Sequence, residues 1–301
     1  MTGAASFDRG NRAFWTLVAI SVTIRAAVVY VACCLTMALA WQLEHRGTDL
    51  LRSGSAWAGV ALLTLSVVGA TRSTVHLWKG LRATRAVSEE VRARGDSIAA
   101  GACEVRNAAR RAGLAGGQVT VVESKALFAF TYGLLRPRVA VTGGLVATAT
   151  EHELNAVLAH EAEHVRGRDP LRTLIAGALA AHHFTVPLLS HLRVTFAADR
   201  ELTADRRAVA HCGTRAVAGA LLKVSGMPGW APSAPTSTMG TPALLDARIT
   251  QLEAGRAPRP APPSRWQVAA SVTGVAAYTW ALAGSAALVA TTPLSCMPAA
   301  L

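Results

Sequence analysis

The sequence predicts a mainly α, α+β polytopic membrane protein, and three observations carry that prediction. Three apolar runs have the length of bilayer spans, at Phe14–Trp41, at about 55–72 and at Trp266–Ala290. Between the second and third lies Thr150–Val165, which has the caps and spacing of an amphipathic helix. Three short β-branched or aromatic runs come immediately before that helix and predict a small sheet.

Composition agrees. The 301 residues are half hydrophobic, more than a soluble domain of this size needs, and the excess is assigned to the spans. A net charge of +12 raises nucleic-acid binding, but the arginines are scattered beside apolar runs, with no dense stripe and no interleaved aromatics, so no direct nucleic-acid partner is expected. The five cysteines are odd in number and lack CxxC spacing, so no disulfide framework or cysteine metal site is indicated.

Taken in order, residues 1–78 are expected to form a membrane region with helices over about 14–41 and 55–72. Arg25 interrupts the first run and is expected to snorkel or to face another helix. Ala38-Leu39-Ala40 resembles a signal-cleavage site, the rival reading, but the stretch begins late and a second apolar run follows at once. Of the thirty basic residues, twenty-five fall between Arg72 and Arg265, so the positive-inside rule puts residues 79–265 at the cytoplasmic face of the inner (plasma) membrane, with Gln42–Ser55 outside. Arg82–Ala112 reads as a cationic helix broken near Gly95-Asp96, lying on the membrane, covering the domain, or simply connecting.

Val119–Val122, Leu127–Thr131 and Arg138–Thr142 are the expected strands, and an edge strand there is the expected rail for an extended peptide. Thr150 and Glu153 form a capping box, and Gly167 supplies the stop of the helix that follows, with Pro170 beyond. That helix carries His160-Glu161-Ala162-Glu163-His164. Side chains four apart share a face, so both imidazoles can bind one ion while Glu161 sits beside it as proton acceptor. A catalytic zinc (Zn2+) needs a third protein ligand, and Glu201 in Glu201-Leu202-Thr203-Ala204-Asp205 is the candidate. Asp205, on the same helical face, is placed to take the free ring N–H of His160. The bland alternative makes both carboxylates ion-pair partners of neighbouring arginines.

Leu171–Leu192 is apolar enough to look like a span, but a span would put Glu201 across the membrane from His160 and His164. His182-His183 and Pro187 interrupt the run, so residues 171–192 are expected to form a re-entrant or interfacial helical hairpin with arms of about ten residues. The two histidines are read as turn residues, not ligands. Arg206 is a weaker candidate for oxyanion stabilisation, with an ion pair as its alternative.

HEAEHVRGRDP, ELTAD and the upstream AFTYGLLRPRVAVTGGL together resemble the membrane-embedded zinc metallopeptidases of the BlaR/MecR antirepressor type, with HtpX-like proteases as cousins. The resemblance covers roughly Ala126 to Ala210. It implies a zincin-like domain of the glutamate type (gluzincin), with His160, His164 and Glu201 as metal ligands and Glu161 as catalytic base. It also implies a protein or peptide substrate, with a transcriptional repressor in a signalling pathway as one reading and damaged membrane proteins, HtpX-fashion, as the other. A non-catalytic adaptor with a structural zinc is a third reading, and a homo-oligomer is allowed. The chain ends at Leu301 just past the last apolar run, so the extracellular penicillin-binding sensor of the antibiotic-responsive relatives, and antibiotic sensing, are not expected.

The remainder reads as a Pro/Ser/Thr loop at Pro228–Gly240, a short helix from Pro242 to about Gly255, and a Pro/Arg linker. Residues 266–301 then form a last span and short tail, with Ala270 and Gly274 spaced for close helix contact.

Overall fold

A computed structural model describes residues 9–47, 52–95, 102–115, 117–225 and 242–290; the Pro228–Gly240 loop and the tail lie outside the described residues. The described residues are mostly helical, with one small sheet among them. The elements run α1 Arg9–Arg46, α2 Gly54–Arg94, α3 Ala102–Arg111, β1 Val119–Val122, β2 Ala129–Tyr132 and β3 Arg138–Thr142. Then come α4 Gly143–Thr148, α5 Glu151–Gly167, α6 Asp169–His182, α7 Pro187–Cys212, α8 Thr214–Ser225, α9 Pro242–Ala254 and α10 Arg265–Ala290.

Two compact units divide the chain. One comprises Trp15–His76, Gly177–Leu192 and Pro262–Leu301, and the other Met1–Phe14, Leu77–Ala176 and Arg193–Ala261. In the first, α1, the start of α2 and α10 are each long and apolar enough to cross a membrane. They pack through Leu35, Leu62, Tyr278, Ala281 and Leu288. Val29, Tyr30, Trp57, Val67, Val272 and Trp280 remain exposed, a distribution that suits lipid and not water. Of the pair expected to make close contact on α10, Gly274 does so, since a Cβ there would collide with the Thr185 carbonyl; Ala270 is exposed, and Ser271 takes its place by accepting the Leu188 N–H at 2.9 Å.

In the second unit the sheet has order β1-β3-β2, with β1 parallel and β2 antiparallel to β3. The second strand starts at Ala129, two residues later than expected. Thr142 is the reason: its hydroxyl donates to the Ala126 carbonyl at 2.6 Å and accepts the Phe128 N–H at 3.2 Å, which diverts that N–H from the ladder, although the Phe128 carbonyl still accepts the Thr142 N–H at 3.1 Å. Both β1 and β2 are edges in hydrogen-bonding order, and of the two it is β2 whose four residues are all buried. Helix α2 does not end with its apolar run but continues to Arg94, and Val87 and Val91 pack on Phe130 and Tyr132. The expected separate helix beginning at Arg82 is thus the end of α2, closed by a turn at Gly95. On the other side Ala129, Val139 and Val141 join a core with Leu145, Leu154, Leu158 and Val217, which seats α5.

The segment after α5 turns back on itself. Helix α6 ends at His182, residues 183–185 form a turn, and α7 begins at Pro187, where a fixed φ and a missing N–H suit a first helical position. The first residue of α6, Asp169, meets Arg200 of α7 at 2.8 Å, so the outward and return legs are each about 20 Å at 1.5 Å per residue. Such legs are longer than the ten-residue arms expected, and the return leg runs unbroken into the segment that carries Glu201.

Candidate metal centre

Helix α5 is set by its ends. The Thr150 hydroxyl accepts the Glu153 N–H, and the Glu153 carboxylate accepts the Thr150 N–H at 2.7 Å, closing the capping box. Lys223 of α8 donates to the same Glu153 oxygen at 2.6 Å. At the other end Gly167 is the last helical residue, and the left-handed position belongs to Arg168, with φ 50°. The glycine leaves room for a charge pair: a Cβ on Gly167 would stand 2.5 Å from Arg200 Nη2 and 2.6 Å from Asp169 Oδ1, so the pair would have to shift. It therefore permits the close approach of a charge pair and does not supply the φ of the stop.

His160, His164 and Glu201 come together, all buried, with one potential ligand atom of each within 4.8 Å of the others. The two Nε2 atoms are 3.1 Å apart, and Glu201 Oε2 and Oε1 lie 3.4 and 3.5 Å from those of His160 and His164. Bonds of about 2.0–2.2 Å from three ligands to one tetrahedral ion require ligand atoms about 3.3–3.5 Å apart, so this donor set fits zinc. The Glu201 oxygens support the fit from the carboxylate side. Both are buried without a hydrogen bond, and the Arg248 guanidinium approaches no closer than 3.5 Å.

Each histidine is held from behind. His160 Nδ1 donates to Asp205 Oδ1 at 2.9 Å, and His164 Nδ1 donates to Asp169 Oδ2 at 2.7 Å. A proton on Nδ1 leaves the Nε2 lone pair free, the tautomer a metal ligand needs. The aspartates are themselves gripped. Arg248 of α9 binds Asp205 through two bonds of 2.7 Å, and Arg200 Nε binds Asp169 at 2.8 Å. Two parallel chains result, His160–Asp205–Arg248 and His164–Asp169–Arg200.

The electrostatics favour a cation between them. Burial alone would lower the His160 imidazole, but Asp205 and Glu201 outweigh it and lift it to about 10; His164 is raised against burial by Glu201 and Asp169. Burial would raise Glu201, but the two imidazoles and Arg248 hold it at about 2, and Asp205 and Asp169 are likewise held below the usual carboxylate range by their histidine and arginine partners.

Glu161 is buried, and its Oε2 accepts the Thr131 hydroxyl of β2 at 2.7 Å. A small cavity of about 30 Å³ adjoins it, walled by His160, Arg248 and the apolar side chains of Val157, Val217 and Leu221. Arg206 donates to Gln251 Oε1 at 3.1 Å and to Thr203 Oγ1 at 2.9 Å. His182 and His183 stand outside the donor set.

Sequence reasoning missed Asp169, Arg200, Arg248 and Thr131. Asp169 had a signal, since it follows His164 by five residues just past the helix stop, where the chain folds back. Arg248 had none: it lies 43 residues beyond Asp205 on a helix with no marked pattern.

Residues 99–225, which hold every one of these groups except Arg248, match the model of peptidase family M48. Over 100 residues the chain is 33% identical to a protein from Acidiphilium cryptum named Protease HtpX homolog, covering 33% of this chain and 34% of that one. Over 79 residues it is 39% identical to a Thermococcus kodakarensis protein of the same name, covering 25% of this chain and 27% of that one. The chain thus spans about a third or less of the length of the curated relatives it matches. No solved structure matches it.

Proposed function

We propose that this chain is a membrane-embedded zinc endopeptidase that cuts protein substrates at the cytoplasmic face of the inner membrane. The observation that carries the reading is the Glu201 carboxylate, buried without a hydrogen bond and opposite two imidazoles whose free lone pairs converge on the same point. His160, His164 and Glu201 would hold the ion, which when bound supplies Lewis acidity to a water and to the scissile carbonyl. Glu161 takes the proton of the attacking water and delivers it to the leaving amine, while the Thr131 hydroxyl fixes one of its oxygens. Asp205 and Asp169 keep the imidazoles in one tautomer and orientation.

The hairpin belongs to the same reading. Legs of about 20 Å are too short for a hydrocarbon core of about 30 Å, so α6 and α7 enter from the cytoplasmic side and return to it, leaving three true spans in α1, α2 and α10. This topology puts the N-terminus inside and the residues after α10 outside. The M48 match and the HtpX names of the relatives favour an HtpX-like protease; the AFTYGLLRPRVAVTGGL segment keeps cleavage of a cytosolic repressor as the second reading.

Glu161→Gln tests the enzyme directly. The variant is expected to bind zinc like the wild type and to cleave no peptide, whereas His160→Ala, His164→Ala and Glu201→Ala each lose the metal. Full zinc occupancy in Glu201→Ala would remove that residue from the ligand set, and unchanged cleavage by Glu161→Gln would sink the mechanism. Substrates trapped on Glu161→Gln in the native cell separate the two readings, a soluble repressor favouring one and membrane proteins the other. Single cysteines near Ser233 and Ala299, labelled with an impermeant reagent in intact cells, test the topology; labelling at Ser233 with protection at Ala299 would overturn the hairpin.

A further inference from the structure

The unit built from the three apolar helices contains a polar cluster that the peptidase reading does not use. Arg25 of α1 donates to Ser73 Oγ of α2 at 3.4 Å, and its Nε has no hydrogen-bond partner. His183, in the turn between α6 and α7, is 1% exposed and neither ring nitrogen forms a hydrogen bond, although the ring faces the Ser21 backbone. Ser21 Oγ, one turn of α1 before Arg25, is fully buried and also unbonded, as is His182 Nδ1. The charge of Arg25 bears on both imidazoles, whose centroids are 4.7 Å apart.

The turn that carries these histidines is locked in place. Gly69 of α2 abuts the His182 carbonyl so closely that a Cβ would stand 2.6 Å from it, and Gly274 and Ser271 of α10 hold Thr185 and Leu188. Ser271 and Gly274 lie about 9 and 14 Å from the start of α10, so the cluster sits inside the apolar run, nearer the first end of α10 than the last.

Its chemistry selects an anion. Each unbonded buried polar group costs roughly 1–3 kcal/mol, so several in one place mark a site made for a polar ligand. A divalent cation is disfavoured by the guanidinium, and among the described residues of this unit the one acid, Glu44, lies about 28 Å away along α1. Hydroxyl, imidazole and guanidinium donors together suit a phosphate oxyanion. We propose that Arg25, Ser73, Ser21 and His183 form an intramembrane binding site for a phosphate group. It would be reached along the partly exposed side of Arg25, and the phosphate would come from an anionic phospholipid or from free phosphate.

The full-length protein in nanodiscs tests this without reference to proteolysis. Thermal midpoint and bound-lipid stoichiometry by native mass spectrometry are compared in phosphatidylcholine alone, with added phosphatidylglycerol, and with inorganic phosphate alone. Phosphatidylglycerol is expected to raise the midpoint and remain bound to the wild type, with Arg25→Gln weakening that binding by about 10-fold or more. The same response to inorganic phosphate would identify the free oxyanion as the ligand. Where Arg25→Gln does not fold, the double variant Ser73→Ala, His183→Gln takes its place with the same expected loss. Equal binding of phosphatidylglycerol by wild type and variant, or no response to either phosphate source, would overturn the proposal.

Discussion

His164 Nδ1 stands 2.7 Å from Asp169 Oδ2, and this pair repeats on the second histidine the relation that His160 Nδ1 has with Asp205 Oδ1 at 2.9 Å. Both aspartates are buried, and each has an arginine on its far side. A ligand histidine whose ring is free to rotate or change tautomer binds more weakly, so the two aspartates should matter about equally. Asp169→Asn and Asp205→Asn are each expected to lower zinc affinity by about 10- to 100-fold while leaving the helices intact. Competition with a chromophoric chelator measures this, and an unchanged affinity in Asp169→Asn would make that contact structural only.

Arg248 should be needed for stability as well as for the metal. Its two bonds of 2.7 Å to Asp205 are made in a buried setting, so Arg248→Met leaves Asp205 Oδ2 buried without a partner while Oδ1 keeps His160, at a cost of about 1–3 kcal/mol. Arg248→Lys keeps the charge but not the fork, and is expected to recover only part of the loss. Denaturant midpoints of the three proteins, read by tryptophan fluorescence, check the order wild type, Lys, Met.

Gly167→Ala is expected to act on the site and not only on the helix end. The added methyl would press on Arg200 Nη2 and Asp169 Oδ1, whereas helix propensity by itself favours alanine. A lowered zinc affinity, with helical content retained by circular dichroism, is the expected result. A gain in stability with normal zinc binding would show that the charge pair can move aside.

The capping box should confer a pH dependence. Burial alone would raise the Glu153 carboxyl, but Lys223 and the Thr150 cap outweigh it and hold it below its ordinary value. A depressed folded-state pKa means that the stabilisation is complete above the unfolded value of about 4.3 and is lost as pH falls through the folded one. The stability gap between wild type and Glu153→Gln should therefore be constant near neutrality and close below about pH 4. Thermal unfolding of both proteins across pH 3–7 measures it; a gap that widened on acidification would contradict the sign.

Much of the site could be read from residue order, because helix periodicity is local. His160 and His164 face one way since they are four apart on a capped helix, and Glu201 and Asp205 share a face for the same reason. The three span-length runs are likewise a matter of local composition. Tertiary structure decided what depends on residues distant in the chain. Arg248 reaches Asp205 only because α9 is packed against α7, and Thr131 reaches Glu161 only because β2 lies on α5. The cover over β2 comes from the end of a helix whose beginning is apolar enough to be a span, so local hydropathy divided what packing made continuous. Gly167 is the clearest instance. Its place at a helix end marked it as the stop, but the arginine for which the missing Cβ leaves room lies 33 residues further on, and local pattern carries no information about a neighbour at that separation.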